Sequence, residues 1–161
     1  MTNAEKASGL VMTRLKETSG KSDGDDHFAP DRWEWPQGAV RTRIIDALTT
    51  QVRALARVQD AGGLWHTILD DPSSYLETSG SASIAYGLMK GARLGLLPQE
   101  FGDIGRRSAV GIQKCIDQRG LVTGVSYGTA VGQDSQQCRD IPLRATAYGQ
   151  GLVFLMLGEL R

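Results

Sequence analysis

The densest group of side chains that could do chemistry lies in residues 63–82, which read GLWHTILDDPSSYLETSGSA. Asp70 and Asp71 invite an assignment as a catalytic acid and base. General acid catalysis, however, needs a carboxyl group whose pKa is raised in a poorly solvated pocket. This pair precedes a proline in a polar turn, where carboxylates are usually solvated or bond a backbone N–H. The sequence therefore favours a turn-forming role for both aspartates and leaves the catalytic residue unassigned.

Metal and cofactor chemistry finds little support in the sequence. The histidines are His27 and His66, and the cysteines are Cys115 and Cys138. No C-x-x-C or H-x-x-x-H spacing occurs, so we expect no structural zinc site, and we predict no cofactor. Two cysteines leave a disulfide open without making a disulfide framework. Cys115 is expected as a small buried side chain, and His66 as a loop residue bonded to the backbone.

Charge and hydropathy limit the classes of partner that the chain could have. The 161 residues carry 18 basic and 18 acidic side chains, which argues against nucleic acid or an anionic membrane as partner, because both need a basic surplus. No apolar run approaches the roughly 20 residues of a membrane span. The first residues lack the apolar core of a signal peptide. We therefore expect a single soluble domain in the cytoplasm.

Helices are expected to position these residues. In residues 40–59 apolar side chains recur at steps of three and four, which predicts an amphipathic helix. Residues 78–97 begin with Thr78 or Ser79 as a cap and continue with small residues, which let a helix or a ligand approach closely. The only strand candidate is residues 121–127. The five expected helices cover residues 3–18, 40–59, 78–97, 99–118 and 145–159.

The order of elements repeats along the chain. An amphipathic helix leads through G-L-W at 63–65 and a long loop to a small-residue helix, and G-L-V at 120–122 marks the same order 57 residues later. Repeated helix pairs predict an all-α toroid or solenoid. The amphipathic helices would be outer and the small-residue helices inner. The long loops would then emerge at one end and line a common pocket.

Three stretches resemble one known family. Residues 59–95, QDAGGLWHTILDDPSSYLETSGSASIAYGLMKGARLG, resemble the C-terminal half of the unsaturated uronyl hydrolases, which are glycoside hydrolase families 88 and 105. Residues 125–160 are similar to the end of fungal-type members. The segment DRWEWPQG at 31–38 resembles the start of the family's first inner helix. Together the three stretches cover most of the chain.

The resemblance implies a fold and a reaction. The family fold is an (α/α) toroid of six helical hairpins, which agrees with the repeat of helix pairs. The family removes a 4,5-unsaturated uronic acid from the non-reducing end of oligosaccharides that lyases have made. An aspartate protonates the sugar's double bond, water adds at the other carbon, and the resulting hemiketal opens. No metal is needed.

The resemblance also makes sugar-binding candidates of several residues. Flat aromatic faces stack on sugar rings, so Trp35 suits a ligand wall and a core position equally, whereas Trp65 suits packing better. Glu77 either caps the helix that follows or binds sugar hydroxyls. Ser79, at the mouth end of that helix, either packs or bonds a ligand.

The second long loop offers further candidates. Tyr127, Gln133 and Arg144 could reach the hydroxyls or the carboxylate of a uronic acid. Arginine is the natural partner of a carboxylate because its planar fork binds both oxygens at once.

The chain departs from the family in its middle. After Gly38 it runs directly into the helix that precedes QDAGGLW, without the family's D-D-x-F-M-like segment, which carries the catalytic aspartate, or its W-x-R-x-x-G-W-like segment. We therefore expect one incomplete toroid domain over residues 1–161. Residues 19–39 would form a loop and the start of the first inner helix, and residues 40–161 the equivalent of the family's C-terminal half.

An incomplete toroid leaves inner helices without their neighbours. The remnant would either collapse on itself or expose an apolar edge, and such an edge favours self-association or aggregation. We therefore expect a family member with little or no activity alone. The alternatives are a non-catalytic carbohydrate-binding or regulatory remnant with an oligosaccharide ligand, or a non-functional gene fragment.

Overall fold

A computed structural model describes residues 35–128 and 134–161, with side chains from residue 41 onward in these ranges. The helix expected over residues 3–18 and most of the loop expected over residues 19–39 lie outside the described residues. The chain divides into two compact units, Met1–Ala47 and Leu48–Arg161. Both hydrophobic clusters and the cleft of the candidate site belong to the second unit.

The described elements are mostly helical. Two-residue strands β1 and β2 pair antiparallel between the first two helices, with Trp65 opposite Glu77. In chain order the elements are α1 (Trp35–Arg57), β1 (Trp65–His66), β2 (Leu76–Glu77), α2 (Thr78–Arg93), α3 (Gln99–Gln113), α4 (Ser135–Arg139) and α5 (Ala147–Gly158).

Helix α1 confirms the expected amphipathic helix but starts earlier than the sequence indicated. It begins at Trp35, five residues before the expected start at residue 40. Pro36 lies in the first turn, where proline is tolerated because its missing N–H has no partner to lose. The helix ends at Arg57, two residues before the expected end.

Helix α2 is the central inner helix of the described part and packs against both α3 and α5. Its buried face is largely made of small side chains such as Ser81, Ala82 and Ala85. The cap is Glu77 rather than Thr78 or Ser79, because the longer carboxylate reaches back over the first turn to the N–H of Gly80. The small residues therefore serve close packing, as the sequence indicated.

Helix α3 crosses α2 at close range through small residues. A Cβ placed on Gly105 would lie 2.8 Å from Met89 Cγ and 2.9 Å from the carbonyl oxygen of Ala85. Phe101 and Ile112 lie on the buried face, whereas Val110, expected in the apolar stripe, is 60% exposed. The buried face of α3 also includes Gly102, Gly105, Ser108, Ala109 and Gly111.

Two clusters of buried side chains form the core. The first joins α2, α3 and α5 through Leu64, Ala82, Ala85, Met89, Ala109, Ile112, Val122, Val125, Val153 and Met156. The second consists of Val52, Trp65, Leu88, Leu97 and Phe101, and it joins the end of α1 to α2 and α3. The first cluster contains residues of both long loops, Leu64 and Val122 among them, whereas the second reaches only the first loop, through Trp65.

An ion pair joins the ends of the two inner helices. Arg93 Nε lies 2.8 Å from Glu159 Oε2, and Arg93 Nη2 lies 3.0 Å from Glu159 Oε1. This two-pronged contact lowers the pKa of the Glu159 carboxyl below its usual range. The C-terminal ends of α2 and α5 are therefore held side by side.

The strands differ from the expectation. Residues 121–127 form isolated bridges, Ile116 with Val122 and Ser126 with Leu143, whereas the paired strands lie at Trp65–His66 and Leu76–Glu77. Two-residue strands are too short to show an alternating pattern. The short helix α4 also went unpredicted inside the loop expected to be irregular. No helix of the described part is long and apolar enough to cross a membrane.

Candidate functional site

A cleft of about 500 Å³ opens where the long loops meet the starts of the inner helices α2 and α5. This is the position that the helix repeat predicted for a common pocket. Its walls come from β1 and the loop after it, from the first turns of α2 and α5, and from residues 126–128. The lining residues are Trp65, His66, Thr67, Leu69, Glu77, Ser79, Gly80, Ser81, Ser83, Ile84, Ser126, Gly128, Tyr148 and Leu152.

The lining combines hydroxyl groups with apolar side chains. Serines and a tyrosine offer donors and acceptors, while Leu69, Ile84 and Leu152 supply apolar surface. Sugars present the same two chemistries, hydroxyl groups at the ring edge and C–H groups on the ring face. Within the described lining there is no lysine or arginine, and Glu77 is the sole carboxylate.

Glu77 holds the start of α2 and one wall of the cleft. Its Oε2 accepts a hydrogen bond from the N–H of Gly80, and its Oε1 accepts bonds from Ser79 Oγ at 2.8 Å and from the N–H of Ser126 at 3.0 Å. Both carboxylate oxygens are therefore engaged by the protein. Of the two roles that the sequence left open for Glu77, the cap is the one that the structure shows.

Ser126 links both inner helices to the loop that precedes β2. Its hydroxyl shares a hydrogen bond of 2.8 Å with Tyr75 Oη, and its carbonyl oxygen accepts a bond from Tyr148 Oη. Tyr148 lies in the first turn of α5. The cleft wall is thus a continuous network of hydrogen bonds through Glu77, Ser126 and the two tyrosines.

Trp65 lies in the core beneath the cleft. Its side chain is 1% exposed, and its indole Nε1 donates to the carbonyl oxygen of Leu55 at 2.8 Å. Its backbone N–H donates to Ser81 Oγ at 2.8 Å. The indole therefore ties α1 to the cleft floor and offers almost no ring face to a ligand.

His66 lines the cleft and is bonded to the backbone, as expected. Its Nδ1 lies 2.5 Å from the carbonyl oxygen of Ser74. A carbonyl oxygen only accepts, so Nδ1 must carry the proton, and the neutral ring then has its lone pair on Nε2. The ring can accept a hydrogen bond from a ligand hydroxyl through that atom.

The two aspartates of the first loop lie outside the lining of the cleft. Asp71 Oδ1 accepts bonds from Ser73 Oγ at 2.6 Å and from the N–H of Ser73 at 2.9 Å. Asp71 Oδ2 lies 2.5 Å from Arg139 Nη2, across to α4. The hydrogen bond from Ser73 and then that from Arg139 lower the pKa of Asp71 to about 2. This shift runs opposite to what a general acid needs.

The second-loop candidates form a pair of their own. The guanidinium of Arg144 lies over the ring of Tyr127, 5.0 Å from its centre. The backbone holds them in place, because the N–H of Tyr127 donates to Pro142 and the N–H of Arg144 donates to Val125. Neither side chain lines the cleft. Gln133 and the side chain of Trp35 lie outside the described residues.

Metal ligands do not gather in the part of the chain that the structure describes. No group of three or more His, Cys, Asp or Glu side chains there could hold an ion. Cys115 and Cys138 are both free thiols. The site therefore has to be understood through hydroxyls, backbone and apolar surface.

Three lining residues, Ser126, Tyr148 and Thr67, were not anticipated. One of them, Tyr148, could have been found by comparing the N-terminal caps of the two inner helices. Tyr148 stands two residues after the cap Thr146, as Ser79 stands two residues after the cap Glu77. Aligning the two small-residue helices on their caps thus pairs Tyr148 with Ser79 at the cleft mouth. Ser126 carries no such mark because its place depends on the long-range contact with Glu77.

Helices that pair through long loops, with small-residue helices around a common cleft, are typical of part of an (α/α) toroid. The chain belongs to Glycosyl Hydrolase Family 88, whose sequence pattern matches residues 34–161. The resemblance seen in the sequence is thereby confirmed.

Relatives with known names or structures agree with this assignment. The unsaturated rhamnogalacturonyl hydrolase YesR of Bacillus subtilis is 41% identical over 119 residues, covering 73% of this chain and 33% of that protein. A crystal structure of a possible GH105 member from Salmonella enterica serovar Paratyphi A gives a TM-score of 0.74 at 41% identity, covering 76% of this chain and 32% of that one.

A second crystal structure, of a possible GH105 member from Klebsiella pneumoniae, gives a TM-score of 0.74 at 36% identity. It covers 90% of this chain and 35% of that chain. The chain therefore spans about a third of the length of these relatives, and its helices form a partial toroid.

Proposed function

We propose that this chain is a reduced family member that binds unsaturated uronyl oligosaccharides at its cleft and has little or no hydrolytic activity alone. The parent activity would be removal of an unsaturated uronyl group, as the name of the B. subtilis relative indicates. Such hydrolysis begins with protonation of the sugar's double bond by a carboxyl group. A chain that lacks a free carboxyl group at the cleft can hold the sugar without reacting with it.

The state of the carboxyl groups supports this proposal most directly. Among the described lining residues only Glu77 carries one, and its oxygens already accept bonds from Ser79, Gly80 and Ser126. General acids need a proton and a raised pKa. Asp71 has the opposite shift and is held by Arg139, away from the lining.

The proposed ligand contacts follow from the chemistry of the cleft wall. Ser79, Ser126 and Tyr148 would bond sugar hydroxyls, while Ile84 and Leu152 would face the C–H side of the ring. Trp65 would act from below as a rigid floor.

Two further sequence candidates remain in the proposal as contacts outside the cleft. Tyr127 and Arg144 would meet a longer oligosaccharide beyond the cleft, with the guanidinium free to pair with a uronate. Trp35 stays a prediction from the sequence, as does a cytoplasmic location.

A titration of the purified chain with an unsaturated disaccharide tests the proposal. Binding is expected by calorimetry, without loss of the absorbance of the unsaturated uronyl group. Binding without turnover is the result that the proposal predicts, and neither binding nor turnover would support a non-functional fragment. Rapid turnover would contradict the proposal.

We also propose that the chain associates with a second copy through α5. The 12 residues of this helix include no charged side chain, and Phe154 is 74% exposed. Tyr148 and Leu155 of the same helix are 47% and 50% exposed. A zero formal net charge provides no long-range repulsion between copies. Burial of this face against its equivalent would remove apolar surface from water.

A further inference from the structure

Two chain segments, the start of α2 and the second long loop, meet at the carboxylate of Glu77. One oxygen accepts the N–H of Gly80 in the first turn of α2, and the other accepts the N–H of Ser126 in the second long loop. Alongside, the N–H of Thr78 donates to the carbonyl oxygen of Gly124 at 2.9 Å. Ser126 in turn holds Tyr75 and Tyr148. The group of contacts around Glu77 and Ser126 is called the Glu77 junction below.

The Glu77 junction differs from the other helix caps of the described part. Asp134 caps α4 through one bond to the N–H of Gln137, and Thr146 caps α5 through one bond to the N–H of Gly149. Each of those caps serves its own helix. Glu77 instead bonds a residue 49 positions away in the sequence as well as its own first turn. A glutamate is long enough to reach both, although shorter side chains are the preferred caps.

Both carboxylate oxygens are needed for this arrangement. The two backbone donors lie on different oxygens, and a backbone N–H cannot accept a bond in return. A glutamine would offer one oxygen and one NH₂ group, so one of the two N–H groups would face a donor. An aspartate would keep the charge and the cap but lack the reach to the distant segment.

We infer that Glu77 is a positioning residue that fixes Ser126 and Tyr148 in the cleft wall, and that it does not itself contact the sugar. This inference rests on the proposed function, because the wall that Glu77 fixes is the one that would bind the oligosaccharide. The junction aligns the hydroxyl of Tyr148 and the backbone of Ser126 before any ligand arrives. Prior ordering of the wall lowers the entropy cost of binding.

The geometry beside the junction leaves it little room to shift. Gly124 adopts a φ of +70°, and a Cβ there would lie 2.7 Å from Thr78 Oγ1. Thr78 is itself buried at the start of α2. The loop backbone therefore lies directly against the helix terminus, and loss of the Glu77–Ser126 bond cannot be made good by a small sliding movement.

Amide hydrogen exchange measured by NMR on the full chain tests the junction without any ligand. In Glu77→Asp the amide of Ser126 is expected to exchange at least about tenfold faster than in the wild type, because its bond to a charged acceptor is lost, and in Glu77→Gln either this amide or that of Gly80 is expected to do so. The amide of Val153 in α5 reports global stability and should change less than about twofold in Glu77→Asp. Asp134→Asn is the matched control, since asparagine caps as well as aspartate and no second segment is involved.

Affinity for an unsaturated disaccharide is measured on the same variants. It should fall at least about tenfold in Glu77→Asp and stay unchanged in Asp134→Asn. Wild-type protection of Ser126 in both Glu77 variants would overturn the inference. So would faster exchange at Ser126 with unchanged affinity, since the junction would then not position the wall. If the wild type itself fails to bind, the proposed function fails, while the exchange rates still decide whether Glu77 holds Ser126.

Discussion

At the scale of single residues, the carboxyl group of Asp71 shows how a loop acid becomes structural. Ser73 donates to it twice within the turn, and Arg139 approaches from α4. These bonds favour the charged form and bring the pKa to about 2. Asp70, its neighbour, is exposed and has no bond within the described residues. Adjacent acids therefore have separate environments, and their spacing carries no catalytic meaning.

Asp71→Asn is expected to lower the melting temperature at neutral pH, because the charged contact with Arg139 is lost. The folded pKa is depressed, so the contribution of Asp71 is fully present above its ordinary value of 3.8 and is lost as the pH falls through about 2. Thermal melts of the wild type and Asp71→Asn at several pH values check this. The two curves should differ near pH 7 and converge toward pH 2.

Asp70→Asn is the control for this pH series, since it removes the same charge from the next position. It should melt like the wild type across the whole range. A difference between wild type and Asp71→Asn that persisted unchanged at pH 2 would show that the carboxylate is not the source of the effect.

At the scale of elements, the packing of α3 against the segment before β1 depends on a glycine that brings backbones together. A Cβ on Gly111 would overlap the carbonyl oxygen of Gly62 and the side chain of Leu64. A Cβ on Gly87, on the exposed side of α2, would meet nothing within 4 Å. The same substitution should therefore have opposite effects at the two positions.

Gly111→Ala is expected to lower the free energy of unfolding by about 2 kcal/mol through overpacking against backbone. Gly87→Ala is expected to raise it by about 0.5 to 1 kcal/mol, because alanine is the better helix former and has open space. Urea unfolding of both variants against the wild type measures the difference. Equal effects at the two sites would refute the close packing of α3 against the segment before β1.

The sequence predicted some of these elements better than others, because only some of them are formed by residues with a recognisable pattern. The helices of the described part, apart from α4, were predicted from apolar periodicity or small-residue runs, because those patterns survive in any context. The true buried face of α3 was missed because Gly105 and Ser108 carry no hydrophobic signal. Val110 is exposed, although its apolar side chain suggests a core position.

The sequence predicted the position of the cleft better than it predicted the contacts within it. The repeat located the cleft at the loop end, and Glu77 and Ser79 were found beside it. The link from Glu77 to Ser126 spans 49 residues and follows no local pattern, so only the folded chain reveals it. The same holds for the burial of Trp65, whose indole partner is at the end of α1.

At the scale of the whole molecule, the described part presents an inner helix to solvent. One side of α5 packs into the first core cluster through Val153 and Met156, while Phe154 and Leu155 face outward. The chain covers only about a third of the length of its B. subtilis and Salmonella relatives. An uncovered inner helix is what a partial toroid would expose.

The double substitution Phe154→Ser and Leu155→Ser is expected to shift the chain toward the monomer in light scattering after size exclusion. The physical reason is loss of the apolar surface that association would bury. Val110→Ser, which alters an equally exposed apolar side chain on α3, should leave the mass distribution unchanged. A wild-type chain that is monomeric at every concentration would contradict association through α5.

The central claim is the proposal that this chain keeps part of the sugar cleft of its family, with no carboxyl group among the described lining residues free to act as the acid. The most direct measurement follows the absorbance of an unsaturated uronyl disaccharide during incubation with the purified full chain, with Glu77→Gln in parallel. We predict that the absorbance falls no faster than in buffer for either protein. Catalysed loss of absorbance by the wild type that Glu77→Gln removes would contradict the claim.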